Sequence, residues 1–398
     1  MPWKEETMIT KRTEFALRAM QPDINFSELC QEYGISRRVG YKWKKRFEEE
    51  GSSGMQERSR RPQNSPIEID EDTLCKITRL HERHRSWGPK KIRAVYSRTY
   101  SPVPSESTFK RIFEKCGWVK KRKRNKSAET GRIHNGVTAQ AANEVWTVDF
   151  KGWWQTEDGE HCEPLTVRDE YSRYILCVRS MSTIRTESVR LVFEELFEEY
   201  GLPHTIRSDN GSPFASSNAV LGLSRLSAWW VALGINLERG RPGKPQDNGA
   251  HERIHLDIRN ELQCLVGGGL EQQQASFDVW RPSFNEERPH ESLGMKTPSE
   301  FYSPNPNLYQ GTPEDIDYEG KISRRVQKSG QIKVHSIAIK ISSALAGWSV
   351  GLVPDGKDHF DVYFANFFLG QIELSSAAFL GVASHSKEGT ANQTQKVS

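Results

Sequence analysis

The stretch NEVWTVDFKGWW, residues 143–154, decides the fold. Apolar and polar residues alternate along it, with Trp146, Val148 and Phe150 on one face and Val145, Thr147 and Asp149 on the other. That period of two predicts a β-strand. An acid at mid-strand is costly to bury unless it is paired, hydrogen-bonded or bound to a metal. The bland alternative for Asp149 is a solvent-facing place on an edge strand.

The surrounding sequence extends this strand into a sheet. EPLTVRDEYSRYILCVRSM (163–181) reads as two further strands, and TESVRLVFEELFEEY (186–200) as a helix with the stripe Val189, Val192, Phe193, Leu196 and Phe197. PHTIRSDNGSPF (203–214) is a strand running into a turn, LSRLSAWWVALGI (223–235) a helix, and INLERGRP (235–242) a short strand. A long helix is expected from about residue 247. Three strands, then helix, strand, helix, strand, helix, make a mixed α/β sheet covered by helices, with parallel pairing across each helical crossover. Trp229 and Trp230 read as core plus one interface position, and Trp153 with Trp154 as closing the first hairpin.

Ahead of the sheet the chain is helical and basic. Of its 398 residues, the first 135 hold 31 Lys and Arg against 18 Asp and Glu, a net of +13; the whole is +4, which leaves −9 for the rest. A basic front on an acidic body suggests a polyanion held by the N-terminal part. Residues 5–20 read as a helix with Phe15, Leu17, Ala19 and Met20 among charges. In FSELCQEYGISRRVGYKWKKRFEEEG (26–51), a helix breaks at Tyr33-Gly34 and Ser36 caps a second one, a helix-turn-helix pattern. The DNA-facing positions expected there are Ser36, Arg37, Arg38, Tyr41, Lys42 and Lys45. DEDTLCKITRLHERH, PKKIRAVYSR and SESTFKRIFEKCG predict three more helices, a second DNA-binding module with Lys90, Lys91, Lys110 and Arg111 as contacts. KKRKRNK, with Lys120, Lys121, Arg122, Lys123 and Arg124, is a basic arm suited to a phosphate backbone.

The expected organisation is therefore a multidomain α/β chain: a helix-turn-helix domain over 1–50, a linker over 51–69 and a second helical DNA-binding module over 70–118. A basic linker (119–142), a mixed α/β catalytic core (143–302), a small antiparallel β-barrel (318–383) and a disordered tail (384–398) follow. No run approaches the ~18 apolar residues of a membrane span, and MPWKEETMITKR lacks the pattern of a signal peptide. Six scattered cysteines without a C-x-x-C pair fit a reducing cytoplasm and argue against zinc.

Chemistry points to three acids. Asp209 ends a strand, where α/β proteins open toward ligands, although Asp-Asn-Gly is also an ordinary turn. In RPGKPQDNGAHERIH (241–255), Asp247 or Asn248 is placed to cap the helix, and Glu252 lies one turn in, where the helix dipole favours an acid anyway. At about 100° per residue, Glu252 stands about 200° from Ile254, off the stripe of Ile254, Ile258 and Leu262. His255 and Arg259 share its side and give it a cationic face that could meet DNA; Asp257 and Glu261 do not share it. Lys244 adds a cation just before the helix. Three carboxylates on converging elements can hold two Mg²⁺ ions, with Mn²⁺ as a substitute, for in-line displacement at phosphorus.

At these residues the chain resembles bacterial insertion-sequence transposases with a retroviral-integrase-like DDE core. VWTVDFKG, IRSDNGSPF and RPGKPQDNGAHERIH are similar to that family's three signature blocks, RDEYSRYILCV to its second and third strands, and YGISRRVGYKWKKRF to its helix-turn-helix. Resemblance covers most of residues 20–302, including NEERPHESLGMKTPSEFY. It implies a ribonuclease-H-like fold, with Asp149, Asp209 and Glu252 as the metal-binding catalytic triad. It also implies binding of terminal inverted repeats, cleavage at the transposon ends, strand transfer into target DNA by a 3′-hydroxyl, and at least a homodimer on DNA in a bacterial cytoplasm. Two departures stand out: the segment around FASSNAVLGLSRLSAWW is longer than in retroviral integrases, and no His/His/Cys/Cys domain precedes the core. A DNA-binding regulator that has lost catalysis, or a ribonuclease-H-like nuclease, are the rival readings. The intact acids speak against the first and the tandem helical modules against the second.

Overall fold

The computed structural model describes residues 7–58, 69–119, 138–216, 219–240, 249–263 and 267–382. The chain divides into two compact units, Met1–Leu74 and Cys75–Ser398.

In the first unit, α1 (Met8–Ala19), α2 (Phe26–Glu32) and α3 (Arg37–Glu50) close around Phe15, Ala16, Ala19, Leu29, Cys30, Trp43 and Met55. Thr7, Asn25 and Ser36 cap the three helices through side-chain oxygens. A Cβ on Gly40 would come within 2.7 Å of the Cys30 sulfur, so α3 lies on α2 only because that side chain is missing. The reading of α1 needs correction. Phe15, Ala16 and Ala19 are buried, whereas Leu17 and Met20 are exposed. Residue 17 lies about 200° from residue 15 on a helix, so the inward stripe could not hold both. The core also runs past residue 50, because Met55 is wholly buried and its carbonyl accepts from Arg12 at 3.1 Å.

Helix α4 (Glu71–Arg83) begins before the division at residue 75, and α5 (Pro89–Thr99) and α6 (Glu106–Lys115) follow in the second unit. Pro89 opens α5, the Ser105 oxygen accepts from the Thr108 amide at 3.3 Å, and Gly117 follows α6 at a φ of 73°.

The mixed sheet then forms from β1 (Val145–Phe150), β4 (Leu165–Asp169), β5 (Ile175–Arg179), β6 (Thr205–Ser208) and β7 (Asn236–Arg239), while β2 (Trp154–Gln155) and β3 (His161–Cys162) make a separate small hairpin. Strand order is β5-β4-β1-β6-β7. β1 is antiparallel to β4 and parallel to β6, and β6 is parallel to β7, as the helical crossovers α7 (Thr186–Tyr200) and α8 (Arg225–Ala232) require. The antiparallel strands β5, β4 and β1 are thus extended by two parallel ones, the mixed α/β sheet that the sequence predicts. One face buries Trp146, Val148 and Ile206 against Phe193, Phe197, Trp229 and Trp230, so both tryptophans of α8 are core. The other face is covered by α9 (Gly249–Glu261) and α10 (Leu270–Pro282), through Ile254, Ile258, Leu262, Phe277 and Trp280. The long helix expected from residue 247 is thus two helices.

Residues beyond the core correct the expected barrel. β8 (Ile322–Arg325), β11 (Ser349–Asp355), β12 (His359–Phe364), β13 (Phe367–Glu373) and β14 (Ala378–Gly381) form an open antiparallel sheet, with β9 (Gln331–Val334) and β10 (Ile337–Lys340) as a separate ribbon. Its apolar face is covered by the ribbon and by α8 together: Leu352, Val362 and Ile372 share one cluster with Ile332, Val334 and Ile339 and with Ala228 and Val231. No described helix is long and apolar enough to cross a membrane.

Candidate functional site

Register brings two of the acids together. Val145, Trp146 and Thr147 of β1 pair in parallel with Thr205, Ile206 and Arg207 of β6. The same offset carried two residues further sets Asp149 beside Asp209, at the carboxyl ends of neighbouring strands about 4.8 Å apart. Asp149 is half-buried and its pKa is raised to about 7, first by desolvation, then by the charge of Asp209 and more weakly by that of Glu252. The three acids are therefore electrostatic neighbours. Asp209 and Glu252 are exposed, and Glu252 stands in the first turn of α9.

α9 is held from two sides. On one, His251 and His255 face β4: the His255 Nε2 lies 3.0 Å from the Thr166 hydroxyl and the His251 Nε2 3.3 Å from the Thr166 carbonyl oxygen. Burial lowers the pKa of His255 to about 4 and holds that of His251 well below the usual histidine value, so both rings are neutral. His255, which the sequence reading set on a cationic face, is half-buried and turns its Nε2 toward β4. On the other side, the buried Arg288 guanidinium lies 2.8 Å from Asp257 and 3.3 Å from Glu261, and Trp280 Nε1 donates to Glu261 at 2.6 Å. Arg259 is exposed on the same helix, about two turns beyond Glu252.

The donor set suits a hard divalent cation: carboxylate oxygens only, with negative charge crowded around a half-buried Asp149. Among the described residues, no three Asp, Glu, His or Cys side chains already enclose a metal-sized point. Asp169, by contrast, is a structural acid, accepting from the Asn143 amide at 2.7 Å and from the Ser172 amide and hydroxyl at 2.8 and 2.6 Å.

The other expected contacts divide. On α3, Arg37, Arg38, Tyr41, Lys42 and Lys45 are exposed, and Ser36 caps the helix while remaining at the surface. Lys110 and Arg111 are exposed on α6. Lys90 is exposed but sits 3.8 Å from Glu106 and 3.6 Å from Glu291. Lys91 is half-buried among Arg288, Asp257, Arg253 and Glu261, and burial lowers its pKa to about 8. It packs within the second unit, where the sequence reading expected a DNA-facing position. Sequence reasoning missed that α4 and α5 dock on the core: Ser86 donates to Glu261 at 2.6 Å, Arg83 pairs with Glu287 at 2.8 Å, and Arg98 donates to the Glu287 carbonyl at 3.2 Å. Lys120, Lys121, Arg122, Lys123, Arg124, Lys244, Asp247 and Asn248 lie outside the described residues, as does the tail 384–398.

Known proteins bear on this arrangement. Residues 139–245 and 233–298 each match an integrase core domain family, residues 11–63 a helix-turn-helix domain family and residues 39–113 a homeodomain-like domain family. A 31.7 kDa protein of an insertion element in Burkholderia multivorans is 25% identical over 59% of this chain and 82% of its own length. A 39.2 kDa insertion-element protein of Xanthomonas euvesicatoria is 23% identical over 62% of this chain and 72% of its own. Among solved structures, the catalytic core domain of HTLV-2 integrase in complex with magnesium aligns with 42% of this chain and 100% of its own, at 16% identity and a TM-score of 0.33.

Proposed function

Taking as premise that the chain is an insertion-element enzyme of the transposase/integrase kind, with helix-turn-helix DNA-binding domains and an integrase core, we propose that it cleaves and joins DNA at the ends of its element, using Asp149, Asp209 and Glu252. The observation that carries this reading is that the charges of Asp209 and Glu252 both act on the half-buried Asp149 carboxylate, with the β1–β6 register running toward Asp149 and Asp209.

The three carboxylates would hold two Mg²⁺ ions, or Mn²⁺ in their place. Bound there, the ions would supply activation of the attacking oxygen and charge stabilisation on the leaving one. In cleavage, a water oxygen forms a bond to phosphorus and the bond to the 3′-oxygen breaks. In joining, the freed 3′-hydroxyl oxygen attacks a target phosphodiester in line, and the target's 3′-oxygen leaves. The chain's own residues do the holding. Exposed Arg37, Arg38, Tyr41, Lys42 and Lys45 of α3 would read and grip a terminal inverted repeat, with Lys110 and Arg111 of α6 as a second grip. Arg259, about two turns beyond Glu252 on α9, would receive a phosphate near the site. Two ends would be joined in one reaction, and by analogy with the family the reading includes a homodimer or larger assembly on DNA.

The test is labelled element-end DNA with Mg²⁺ and the variants Asp149→Asn, Asp209→Asn and Glu252→Gln. Each is expected to abolish nicking and joining while leaving end binding intact. Undiminished joining by any one of them removes that residue from the triad.

A further inference from the structure

We propose that Thr166, His251 and His255 form a positioning clamp that locks helix α9 in register with strand β1 and so delivers Glu252 to Asp149. This rests on the triad proposed above.

Thr166 is the direct cross-strand partner of Asp149, and its hydroxyl donates to the Asp149 carbonyl oxygen at 2.9 Å. A hydroxyl has one proton to give. With that proton committed to Asp149, the 3.0 Å contact between the same hydroxyl oxygen and His255 Nε2 has to run the other way, with the ring N–H donating. The Thr166 carbonyl oxygen can only accept, so His251 Nε2, 3.3 Å away, carries a proton as well. Both histidines are therefore Nε2–H tautomers. What remains on His251 is the lone pair of Nδ1, which is buried with no hydrogen-bond partner.

The spacing gives the clamp its function. His251 and His255 are one helical turn apart on the same face and meet a single residue of β4 from two heights. One contact would fix a point on α9; two fix its rotation and its slide along the sheet. Glu252 follows His251 directly and lies about 60° around the helix from His255, at the rim of the clamped face. Ile254, Ile258 and Leu262 also hold α9, but apolar packing is not directional and does not set register as hydrogen bonds do. The link from one catalytic acid to the other is then continuous: Asp149 backbone, Thr166 hydroxyl, His255 ring, α9, Glu252.

The experiment measures Mn²⁺ binding to the full chain without DNA, by electron paramagnetic resonance, alongside Mg²⁺ titrations of joining and thermal melting. Thr166→Val keeps the branched shape and removes the hydroxyl; Thr166→Ser restores it. Loss of one buried hydrogen bond is worth about tenfold. Thr166→Val is expected to weaken Mn²⁺ binding about that much and to need correspondingly more Mg²⁺ for joining, with Thr166→Ser close to the parent protein. Equal losses in both, or none in Thr166→Val, would overturn the clamp. Should Thr166→Val not fold, His255→Gln, which keeps a donor near the Nε2 position, is compared with His255→Leu, and only the second is expected to lose metal. Nitrogen NMR gives a readout free of activity: both rings are expected as Nε2–H, and an Nδ1–H form at His255 would overturn the clamp. Asp149→Asn separates the two ideas. If it retains full Mn²⁺ binding, the triad itself fails; if it loses Mn²⁺ while Thr166→Val does not, the clamp alone fails.

Discussion

Arg288 and Asp257 face each other at 2.8 Å inside the second unit, their side chains only 3% and 10% exposed. Glu261 closes the same fork at 3.3 Å and also accepts from Trp280 and Ser86. Sequence reasoning set Asp257 and Glu261 aside as acids off the functional face. They are off it, but they join the helix bearing Glu252 to α10 and to the docked α4–α5 region.

Removing one partner of a buried pair strands the other charge, at a cost of about 3–5 kcal/mol. Arg288→Met and Asp257→Asn are each expected to lower stability in urea unfolding by about that much. A midpoint unchanged in both would show that the fork holds nothing together.

Asp149 sets a pH dependence. Its pKa in the folded protein, about 7, lies above that of an unfolded aspartate. Between the two values the folded state binds the proton more tightly, so this group's contribution to stability is full at low pH and is lost as pH rises through 7. Metal-free protein is therefore expected to melt at lower temperature at pH 8 than at pH 6, and Asp149→Asn is expected to flatten that difference. A divalent cation is expected to raise the melting temperature more at pH 8, where no proton has to be displaced. A pH-independent melting point shared by Asp149→Asn would contradict the assignment.

The surface of α3 gives a third expectation. Arg38→Ala and Lys42→Ala remove exposed cations, so each is expected to weaken end binding and to reduce the slope of log affinity against log salt by about one where a phosphate contact is lost. Lys91→Ala is expected to leave that slope unchanged and to lower stability instead, because Lys91 is packed among Arg288, Asp257 and Glu261. Equal salt slopes for Lys42→Ala and the parent protein would remove Lys42 from the interface.

Period and punctuation made the sheet legible. The alternation in 145–150, the apolar stripe of α7 and the Gly-containing turn before α3 all appear in the structure as read. Local pattern carries these features because each arises within one element. The misreadings share a different cause. His255 and Lys91 are polar yet half-buried, and the C-terminal strands form an open sheet covered by the β9–β10 ribbon and α8. Each outcome is decided by what a distant segment offers, which spacing does not record; Leu17, by contrast, faces outward because it stands about 200° from Phe15 on α1. The juxtaposition of Asp149 and Asp209 falls between the two cases. Both strand positions were legible, but only the parallel β1–β6 register makes them neighbours.

The most direct measurement of the central claim is a crystal soaked in Mn²⁺, with anomalous density read around β1, β6 and α9. Anomalous peaks within about 2.0–2.6 Å of carboxylate oxygens of Asp149, Asp209 and Glu252 are expected, with Glu252 drawn inward from its exposed position. Mn²⁺ bound elsewhere, or held by the two aspartates while Glu252 stays outside coordination reach even with element-end DNA present, would contradict it.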